Sequence, residues 1–317
     1  MALPRIPEDE FISLFERLGA TELADQTGMT VRAVQGRRVR IEAKIGRTLH
    51  PPDRIKSSRA RLHFERKTPQ RVSIDVPDGY VFIGSDAHYW PDIISPAHRA
   101  FVKLAKKMKP KAVIMNGDML DGASISRHPP MGWEGQPSLI DEIDTVKKRL
   151  GEIAKASDAG LFWPLGNHDA RFEMRLAAVA PEYAKVNGVH LQDHFPDWTP
   201  CFSVWINDDV VVKHRFKGGV HATHNNTVAA GKTMVTGHLH SAKVTPYDDY
   251  NGTRYGVDAG TMADPGGPQF EYTEDNPRNH RQAFCILKFS NGRLMYPQLV
   301  TVIDDNTVEY LNKEISV

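Results

Sequence analysis

Short motifs that combine His, Asp and Asn recur between residues 86 and 240, and these side chains are typical metal ligands. They are Asp86-Ala87-His88, Gly117-Asp118-Met119-Leu120-Asp121, Gly166-Asn167-His168-Asp169, a single His214, and Gly237-His238-Leu239-His240. A mixture of imidazole, carboxylate and amide donors suits Mn, Fe, Zn or Ni better than magnesium or calcium. Chance does not explain the set, because a chain of this composition would contain Gly-Asn-His-Asp only about 0.003 times. The motifs therefore predict a metal site with nitrogen and oxygen ligands.

Each of these motifs directly follows a predicted β-strand. The strands are YVFIGS, KAVIM, GLFWPL, VVVK and KTMVT, and helical segments lie between or after the first three, namely PAHRAFVKLAKKM, SLIDEIDTVKKRLGEIAKA and ARFEMRLAAVA. Open α/β sheets collect their ligands at such strand ends. Asp86 and His88 are two residues apart, as are His238 and His240, so an extended backbone would aim both members of each pair to one side.

The second half of the chain is rich in predicted strands. SVWIN, VVVKH, KTMVTG, AKVTPY, RYGVDAG, FCILKF and LMYPQLVTV follow one another with short polar breaks. The alternation of strands and helices in the first half, with this strand-rich continuation, predicts an α/β fold of two packed sheets covered by helices.

In order and spacing, the five motifs resemble those of the calcineurin-like metallophosphoesterases, and the resemblance runs from about Tyr80 to the C-terminus. It implies a four-layer αββα sandwich that binds two divalent metal ions. One ion would be held by Asp86, His88, Asp118 and His240, and the other by Asp118, Asn167, His214 and His238. Asp118 would bridge the two. The resemblance also implies that His168 is the catalytic histidine and that Asp169 orients it.

The chemistry of the residues agrees with these implied cofactors. Two divalent ions about 3.5 to 4 Å apart activate a water for in-line attack on phosphorus and neutralise phosphoryl charge. A histidine outside the ligand set is then free to protonate the leaving oxygen. We expect Mn²⁺ as the ion, with Fe, Zn or Ni as alternatives.

The single histidine departs from the family pattern, in which a glycine follows it. His214 is followed by Arg215, and His221 and His224 are nearby rivals. We prefer His214 because it ends an apolar strand, whereas HATHNNTVAAG has the pattern of a helix.

Two arginines are candidate substrate-binding residues. Arg215 adjoins the predicted metal site, and Arg127 lies in a long Gly- and Pro-rich loop, residues 122–138, where Trp133 could stack on a base. For Arg215, Arg127 and Trp133, an ordinary surface role is the alternative.

Residues 1–46 resemble a small all-α helix-turn-helix DNA-binding module. Ala24, Gly28 and Val34 match its small, turn and core positions. Residues 30–44 would form the recognition helix, and its candidate DNA contacts are Arg32, Gln35, Arg37, Arg38 and Arg40. A helical appendage that packs on a partner is the alternative.

The charge is distributed unevenly along the chain. Residues 28–71 hold thirteen Lys and Arg against three acidic residues, a net charge of +10, whereas the remaining residues sum to −9. Such asymmetry indicates polyanion binding, and a solvated basic surface is the alternative. Residues 47–78 are predicted to be a basic linker or arm before a catalytic domain over 79–317, although RLHFE and RVSIDV could instead form an edge hairpin.

Composition excludes several classes of protein. No apolar run approaches the roughly 20 residues that cross a bilayer, and the acidic start MALPRIPEDEF is unlike a signal peptide. Cys201 and Cys285 are too few for a disulfide framework. We expect a cytoplasmic protein of a bacterium or a phage-infected cell that binds DNA and no membrane, with a homodimer as the default for a helix-turn-helix reader.

These observations predict a two-metal-dependent phosphodiesterase, a DNA nuclease recruited by its helix-turn-helix module. The arrangement also looks like phosphoesterases predicted in phage genomes. One alternative is a phosphomonoesterase or protein phosphatase on the same metal core, because fold alone does not set the substrate. A second alternative is a DNA-binding regulator with an idle enzyme fold.

Overall fold

The computed structural model describes residues 6–51, 68–127, 135–276 and 278–317. The chain divides into two compact units, Met1–Glu65 and Arg66–Val317. Trp133 and the RLHFE segment lie outside the described residues.

The described part of the smaller unit is helical. Helix α1 spans Glu8–Thr27 and is broken at Gly19, whose φ of 75° and ψ of 176° are not helical, and α2 spans Val31–Ile45. Gly28 is left-handed at a φ of 71°, and the Thr30 side chain caps α2 by accepting from the Ala33 N–H. Helices α1 and α2, with the turn at Gly28 between them, agree with the predicted all-α module.

These helices share one small hydrophobic core, made of Phe11, Phe15, Leu23, Ala24, Val34, Ile41 and Leu49. Leu49 lies beyond residue 46, so the chain stays packed on the helices past the predicted end of this module.

The larger unit combines two sheets with helices and short 3-10 turns. Its helices are α3 (Pro96–Met108), α4 (Leu139–Ala154), α5 (Asp169–Val179) and α6 (Ala222–Ala230), and its 3-10 turns are Ala123–Ile125, Pro181–Tyr183, Leu191–His194 and Pro268–Thr273. Its strands are β1 (Val72–Ile74), β2 (Gly79–Gly84), β3 (Ala112–Met115), β4 (Gly160–Pro164), β5 (Thr199–Cys201), β6 (Val204–Ile206), β7 (Val210–Val212), β8 (Thr233–Thr236), β9 (Lys243–Asp249), β10 (Gly252–Asp258), β11 (Ala283–Ser290), β12 (Arg293–Leu294), β13 (Gln298–Asp304), β14 (Thr307–Tyr310) and β15 (Lys313–Ser316).

In the described part of the chain, the strands form two sheets. The larger has the order β15-β14-β13-β11-β2-β3-β4-β5, with β12 paired to β11, and the smaller has the order β1-β6-β7-β8-β10-β9. Strands β2 to β5 are parallel, with Phe82 opposite Val113 and Phe162 opposite Thr199. Strands β7, β8 and β10 are also parallel to one another. Parallel strands end at one edge of a sheet, so the loops that follow them lie close together.

The two sheets pack face to face. Val81, Ile83 and Ile114 of the larger sheet share a buried cluster with Val212 and Val235 of the smaller one. On its other face the larger sheet contacts α3 and α4 through a second cluster that includes Phe82, Phe101 and Val146.

Helix α6 covers the smaller sheet. A Cβ placed on Gly256 of β10 would lie 2.0 Å from the carbonyl oxygen of Thr223, so this helix lies directly on the strand. The predicted four-layer αββα architecture is therefore confirmed.

Strand β1 lies within residues 47–78, which the sequence analysis places in a linker. Val72 and Ile74 pair with Val204 and Ile206 of β6 and pack against the core between the sheets. The larger unit therefore begins before residue 79. This agrees with the alternative that RVSIDV forms an edge strand, but its described partner is the parallel strand β6 and not a hairpin neighbour.

Among the residues that the structure describes, no helix is both long enough and apolar enough to cross a membrane.

Candidate metal centre

The loops at the carboxyl ends of five parallel strands hold the predicted ligands. Asp86 and His88 follow β2, Asp118 follows β3, and Asn167 and His168 follow β4 in the larger sheet. His214 follows β7 in the smaller sheet, and the loop after β8 carries His238 and His240. The two sheets therefore present their ligands from facing edges of the sandwich.

The backbone is left-handed at five of these residues. The φ angle is positive at Asp86 (52°), His88 (37°), Asp118 (56°), His238 (71°) and His240 (56°). The expectation that extended backbone aims the paired ligands was therefore wrong. The chain turns sharply after each strand because its N–H groups bond to the next loop, as when His88 N–H donates to the Asp118 carbonyl at 2.9 Å. Such conformations cost roughly 1 to 3 kcal/mol each and cluster at functional sites.

Two motif glycines allow the loops to approach the ligands closely. A Cβ on Gly237 would lie 1.8 Å from Ser85 Oγ and 2.3 Å from Asp86 Oδ2. A Cβ on Gly166 would lie 2.1 Å from Asp118 Oδ1. A side chain at either position would displace a candidate ligand, so glycine is required there for steric reasons.

Asp86, His88 and His240 form the first group of candidate ligands, and all three are buried. His240 Nε2 lies 3.1 Å from Asp86 Oδ1. Burial by itself raises the pKa of Asp86, but His240 and His214 outweigh it and lower the pKa to about 2. Asp86 is therefore a carboxylate at neutral pH.

Two imidazole nitrogens of this group are buried without a partner. Within the described residues, neither His88 Nε2 nor His240 Nδ1 has a hydrogen-bond partner. On His88 the other nitrogen, Nδ1, lies 2.9 Å from Asp121 Oδ1 and can donate to it, which leaves Nε2 with its lone pair. A buried lone pair without a donor is costly unless a cation binds it.

Asp118, His214 and His238 form the second group. His214 Nε2 lies 3.1 Å from Asp118 Oδ2 and 3.9 Å from Asp86 Oδ1, so the two groups adjoin. Asn167 joins the second group, because its Oδ1 lies 3.3 Å from the same nitrogen.

Electrostatics favour a positive charge between these groups. Burial by itself lowers the pKa of His214, but the Asp86 and Asp118 carboxylates raise it to about 10. His214 in turn holds the pKa of Asp118 well below its usual range, against the effect of burial. A divalent cation would supply the charge that the two carboxylates favour here.

Together these donors fit a pair of divalent ions. The first group offers one carboxylate and two imidazoles, and the second offers one carboxylate, two imidazoles and an amide oxygen. The mixture of nitrogen and oxygen donors suits first-row transition metals. The predicted bridging role of Asp118 stays a prediction; the contact that joins the two groups is that of His214 Nε2 with Asp86 Oδ1, at 3.9 Å.

Asp121 connects both histidines of a third group, His88 and His168. His168 Nδ1 lies 2.9 Å from the Asp121 carbonyl oxygen and 3.1 Å from its Oδ1. Burial by itself lowers the pKa of His168, but Asp121 and Asp118 raise it above its usual value.

The role expected for Asp169 is therefore corrected. Its buried carboxylate accepts from the backbone N–H groups of Asp118, Met119, Leu120 and Gly166 and from Trp163 Nε1, at 2.8 to 3.2 Å. These bonds tie the loop after β3 to the loop after β4. In the described structure Asp121 contacts the His168 side chain, and Asp169 instead holds the loops that carry Asp118 and Asn167.

Several candidates lie at the margin of the centre or away from it. Arg215 is exposed next to His214, and its charge helps to lower the pKa of His238, after burial and His214. Arg127 is exposed at the end of a described segment. His221 is the N-cap of α6, and the exposed His224 ring packs 5.4 Å from Tyr247, which agrees with the preference for His214.

Three residues beside the centre were not predicted from the sequence. Arg171 Nη2 lies 3.1 Å from His168 Nε2, the buried Phe270 ring packs on His88 and His240, and the His280 ring lies 4.5 Å from His240. Arg171 follows His168 by three positions on a predicted helix, a spacing that could have placed it there. Phe270 and His280 belong to no motif.

The candidate DNA contacts on α2 differ in their surroundings. Arg32 and Arg40 are exposed, and Gln35 is half-buried. Arg37 donates to the Ile6 carbonyl and lies 4.6 Å from the Phe11 ring centroid. Arg38 lies 5.8 Å from the Phe15 ring centroid and 3.6 Å from Glu42. Arg32 and Arg40 are therefore the residues most available to a ligand.

Comparison with known proteins gives structural similarities alone. No protein-family model matches the sequence, and no curated protein matches it. Vps29 from Entamoeba histolytica in complex with zinc has a TM-score of 0.42 and 12% identity, over 75% of this chain and 98% of that chain. An archaeal phosphodiesterase has a TM-score of 0.37 and 17% identity, over 70% of this chain and 99% of that one. YfcE, a phosphoesterase from E. coli, has a TM-score of 0.35 and 14% identity, over 75% and 99%.

In its motifs, its four-layer fold and its paired groups of donors, the chain resembles the calcineurin-like metallophosphoesterases.

Proposed function

We propose that the chain is a two-metal-dependent phosphodiesterase whose substrate is DNA, to which the helix-turn-helix unit recruits it. One observation carries the enzymatic part of the proposal. Donors that are buried, apart from the exposed His238, form two adjoining groups, and two imidazole nitrogens of the first group have no hydrogen-bond partner among the described residues. Such an arrangement is unfavourable without bound cations and favourable with them.

The chain's own residues would divide the work of hydrolysis. Two divalent ions, when bound, supply Lewis acidity that neutralises charge on the phosphoryl oxygens. Asp86, His88 and His240 would hold one of them, and Asp118, Asn167, His214 and His238 the other. His168 is left outside both groups, Asp121 fixes its Nδ1, and its Nε2 faces Arg171 Nη2 at 3.1 Å. Nε2 would therefore transfer a proton to the leaving oxygen only after exchanging the Arg171 contact for that oxygen.

The choice of DNA is supported by the N-terminal unit. Two of its exposed arginines, Arg32 and Arg40, lie on the helix that follows the Gly28 turn. The basic segment 28–71 adds a net charge of +10, which suits phosphate contacts. The choice of DNA as the substrate, and its recruitment by the N-terminal unit, rest on the charge and the helix pattern of that unit.

The experiment that tests the proposal compares substrates under one condition. The full-length protein is incubated with Mn²⁺ and with bis-p-nitrophenyl phosphate, p-nitrophenyl phosphate, or linear, nicked and single-stranded DNA. We expect cleavage of the diester and of DNA, and we expect Asp118→Ala to abolish both.

Other outcomes would point to the alternatives. Turnover of the monoester without any diester cleavage would contradict the proposal and favour a phosphomonoesterase or protein phosphatase. No turnover with Mn²⁺, Fe²⁺, Zn²⁺ or Ni²⁺ would favour a DNA-binding regulator.

A further inference from the structure

A tyrosine and an arginine form a stacked pair beside the candidate centre. The Arg278 guanidinium carbon lies 5.2 Å from the centroid of the Tyr272 ring. Tyr272 is 49% exposed, and Arg278 is exposed as well. Nucleobases stack on tyrosine rings and on guanidinium planes, so this pair is a suitable platform for a base.

The platform adjoins the ligands through Phe270. The Phe270 ring centroid lies 5.7 Å from that of His88, 5.5 Å from that of His240 and 6.5 Å from that of Tyr272. Phe270 is buried, so it holds Tyr272 next to the first group of candidate ligands.

The platform also faces the His168 side of the centre. The His88 ring, on which Phe270 packs, lies 4.6 Å from the His168 ring. Asp121 and Arg171 also contact His168. Phe270 therefore connects Tyr272 to the part of the centre that adjoins His168.

Arg171 lies between the platform and the catalytic candidate. Its Nη1 donates to the Asp121 carbonyl at 2.8 Å, and its Nη2 lies 3.1 Å from His168 Nε2. The first contact fixes the guanidinium, which keeps a positive charge next to the position where a phosphate would be cleaved.

We propose that Tyr272 and Arg278 form a subsite for the nucleotide on the leaving-group side of the scissile phosphodiester, with Arg171 contacting the scissile phosphate. Tyr272 stacks on the base, and Arg278 binds the next phosphate along the strand. The substrate class is a single-stranded or locally opened oligonucleotide, because a base must be unpaired to stack in this way. This inference rests on the proposed phosphodiesterase function.

The test compares two substrates that differ only in their bases. The full-length protein is assayed with Mn²⁺ on a short thymidine oligonucleotide and on an abasic oligonucleotide of the same length. We expect Tyr272→Leu to raise KM for the thymidine substrate about tenfold and to leave KM for the abasic substrate unchanged, because stacking needs a base. Tyr272→Phe should keep the wild-type KM, and Arg278→Gln should raise KM for both substrates.

Tyr296→Leu is the matched control, since Tyr296 is 48% exposed and packs on Tyr255. The subsite is refuted if Tyr272→Leu leaves KM unchanged for both substrates, or changes both equally. If the wild-type protein cleaves neither substrate, the proposed function fails separately. In that case the subsite is tested by the binding of a fluorescent thymidine trinucleotide. If the subsite exists, Tyr272→Leu binds the trinucleotide more weakly than Tyr296→Leu does.

Discussion

Asp169 shows how a carboxylate can serve a metal centre without binding a metal. It is fully buried and accepts from four backbone N–H groups and the Trp163 indole. Removing a buried acceptor leaves its donors unsatisfied, at a cost of about 1 to 3 kcal/mol for each group that water cannot reach. The side chain therefore stabilises the two loops that present Asp118 and Asn167.

We expect Asp169→Ala to lower the free energy of unfolding by about 3 kcal/mol or more, because several donors lose one acceptor together. Urea denaturation followed by circular dichroism measures this change. The control is Asp158→Ala, at an exposed position. An Asp169→Ala protein as stable as the control would show that the loops do not depend on this carboxylate.

His98 predicts a pH dependence of stability that is separate from the candidate centre. It is buried, and its ring nitrogens lie 3.0 Å from the Tyr89 hydroxyl and 2.8 Å from Glu152, which Arg149 also contacts. Burial lowers the pKa of His98 to about 4, despite the contact with Glu152. The unfolded chain therefore binds the proton more readily than the folded one.

The contribution of His98 to stability is complete above its unfolded pKa of about 6.5 and is lost as the pH falls toward 4. Between pH 7.5 and pH 5, the wild-type protein should lose about 2 kcal/mol through this group. His98→Gln should lose correspondingly less stability over the same interval, measured by urea denaturation at each pH. Equal losses in the two proteins would contradict the assignment.

At the scale of elements, the loop after β8 depends on a glycine that has no room for a side chain. A Cβ at Gly237 would collide with Ser85 and with the Asp86 carboxylate. We expect Gly237→Ala to weaken Mn²⁺ binding at least tenfold, measured by isothermal titration calorimetry. Gly151→Ala in α4 is the control, because no atom lies within 4 Å of its added Cβ. Equal affinity in both variants would mean that the loop can shift without loss of the site.

The sequence predicted those elements whose own residues carry a strong pattern. The helix predicted as PAHRAFVKLAKKM is α3, residue for residue, and strands β2, β3 and β4 lie where apolar runs indicated them. Strands β5, β14 and β15 were not predicted. β5 contains Pro200, and β14 and β15 are half-exposed strands paired to each other, so their extended form depends on neighbours more than on their own composition.

The sequence predicted which residues form the site more fully than it predicted the backbone geometry that positions them. The motif residues converge because parallel strands end at one edge of a sheet. The left-handed backbone at Asp86, His88 and Asp118 could not be predicted, because loop contacts formed only in the fold impose it. The partner of His168 was assigned to Asp169 and not to Asp121 because sequence adjacency does not reveal which carboxylate faces a ring.

At the scale of the whole molecule, the proposal assigns DNA binding and hydrolysis to different units. Arg32 and Arg40 are the exposed arginines among the candidate contacts on α2. Each phosphate contact that is lost reduces the number of counterions released on binding by about one. The slope of log K against log salt falls by about the same amount. We expect the double variant Arg32→Ala, Arg40→Ala to weaken binding to duplex DNA and to lower the slope of log K against log salt by about two.

The same double variant should hydrolyse bis-p-nitrophenyl phosphate at the wild-type rate, because neither arginine belongs to the candidate metal centre. Lys106→Ala, Lys107→Ala is the matched control, since both lysines are exposed at the end of α3 in the larger unit. A salt slope that changes as much in the control as in the arginine variant would remove the proposed role of the helix-turn-helix unit.

The central claim is that the converging side chains hold two divalent cations, and metal stoichiometry tests it most directly. The full-length protein is saturated with Mn²⁺, dialysed, and analysed by inductively coupled plasma mass spectrometry beside Asp118→Ala. The account predicts two ions per wild-type chain and a clear loss in the variant, because Asp118 is the carboxylate of the second group of ligands. A wild-type protein that retains no more metal than Asp118→Ala would contradict it.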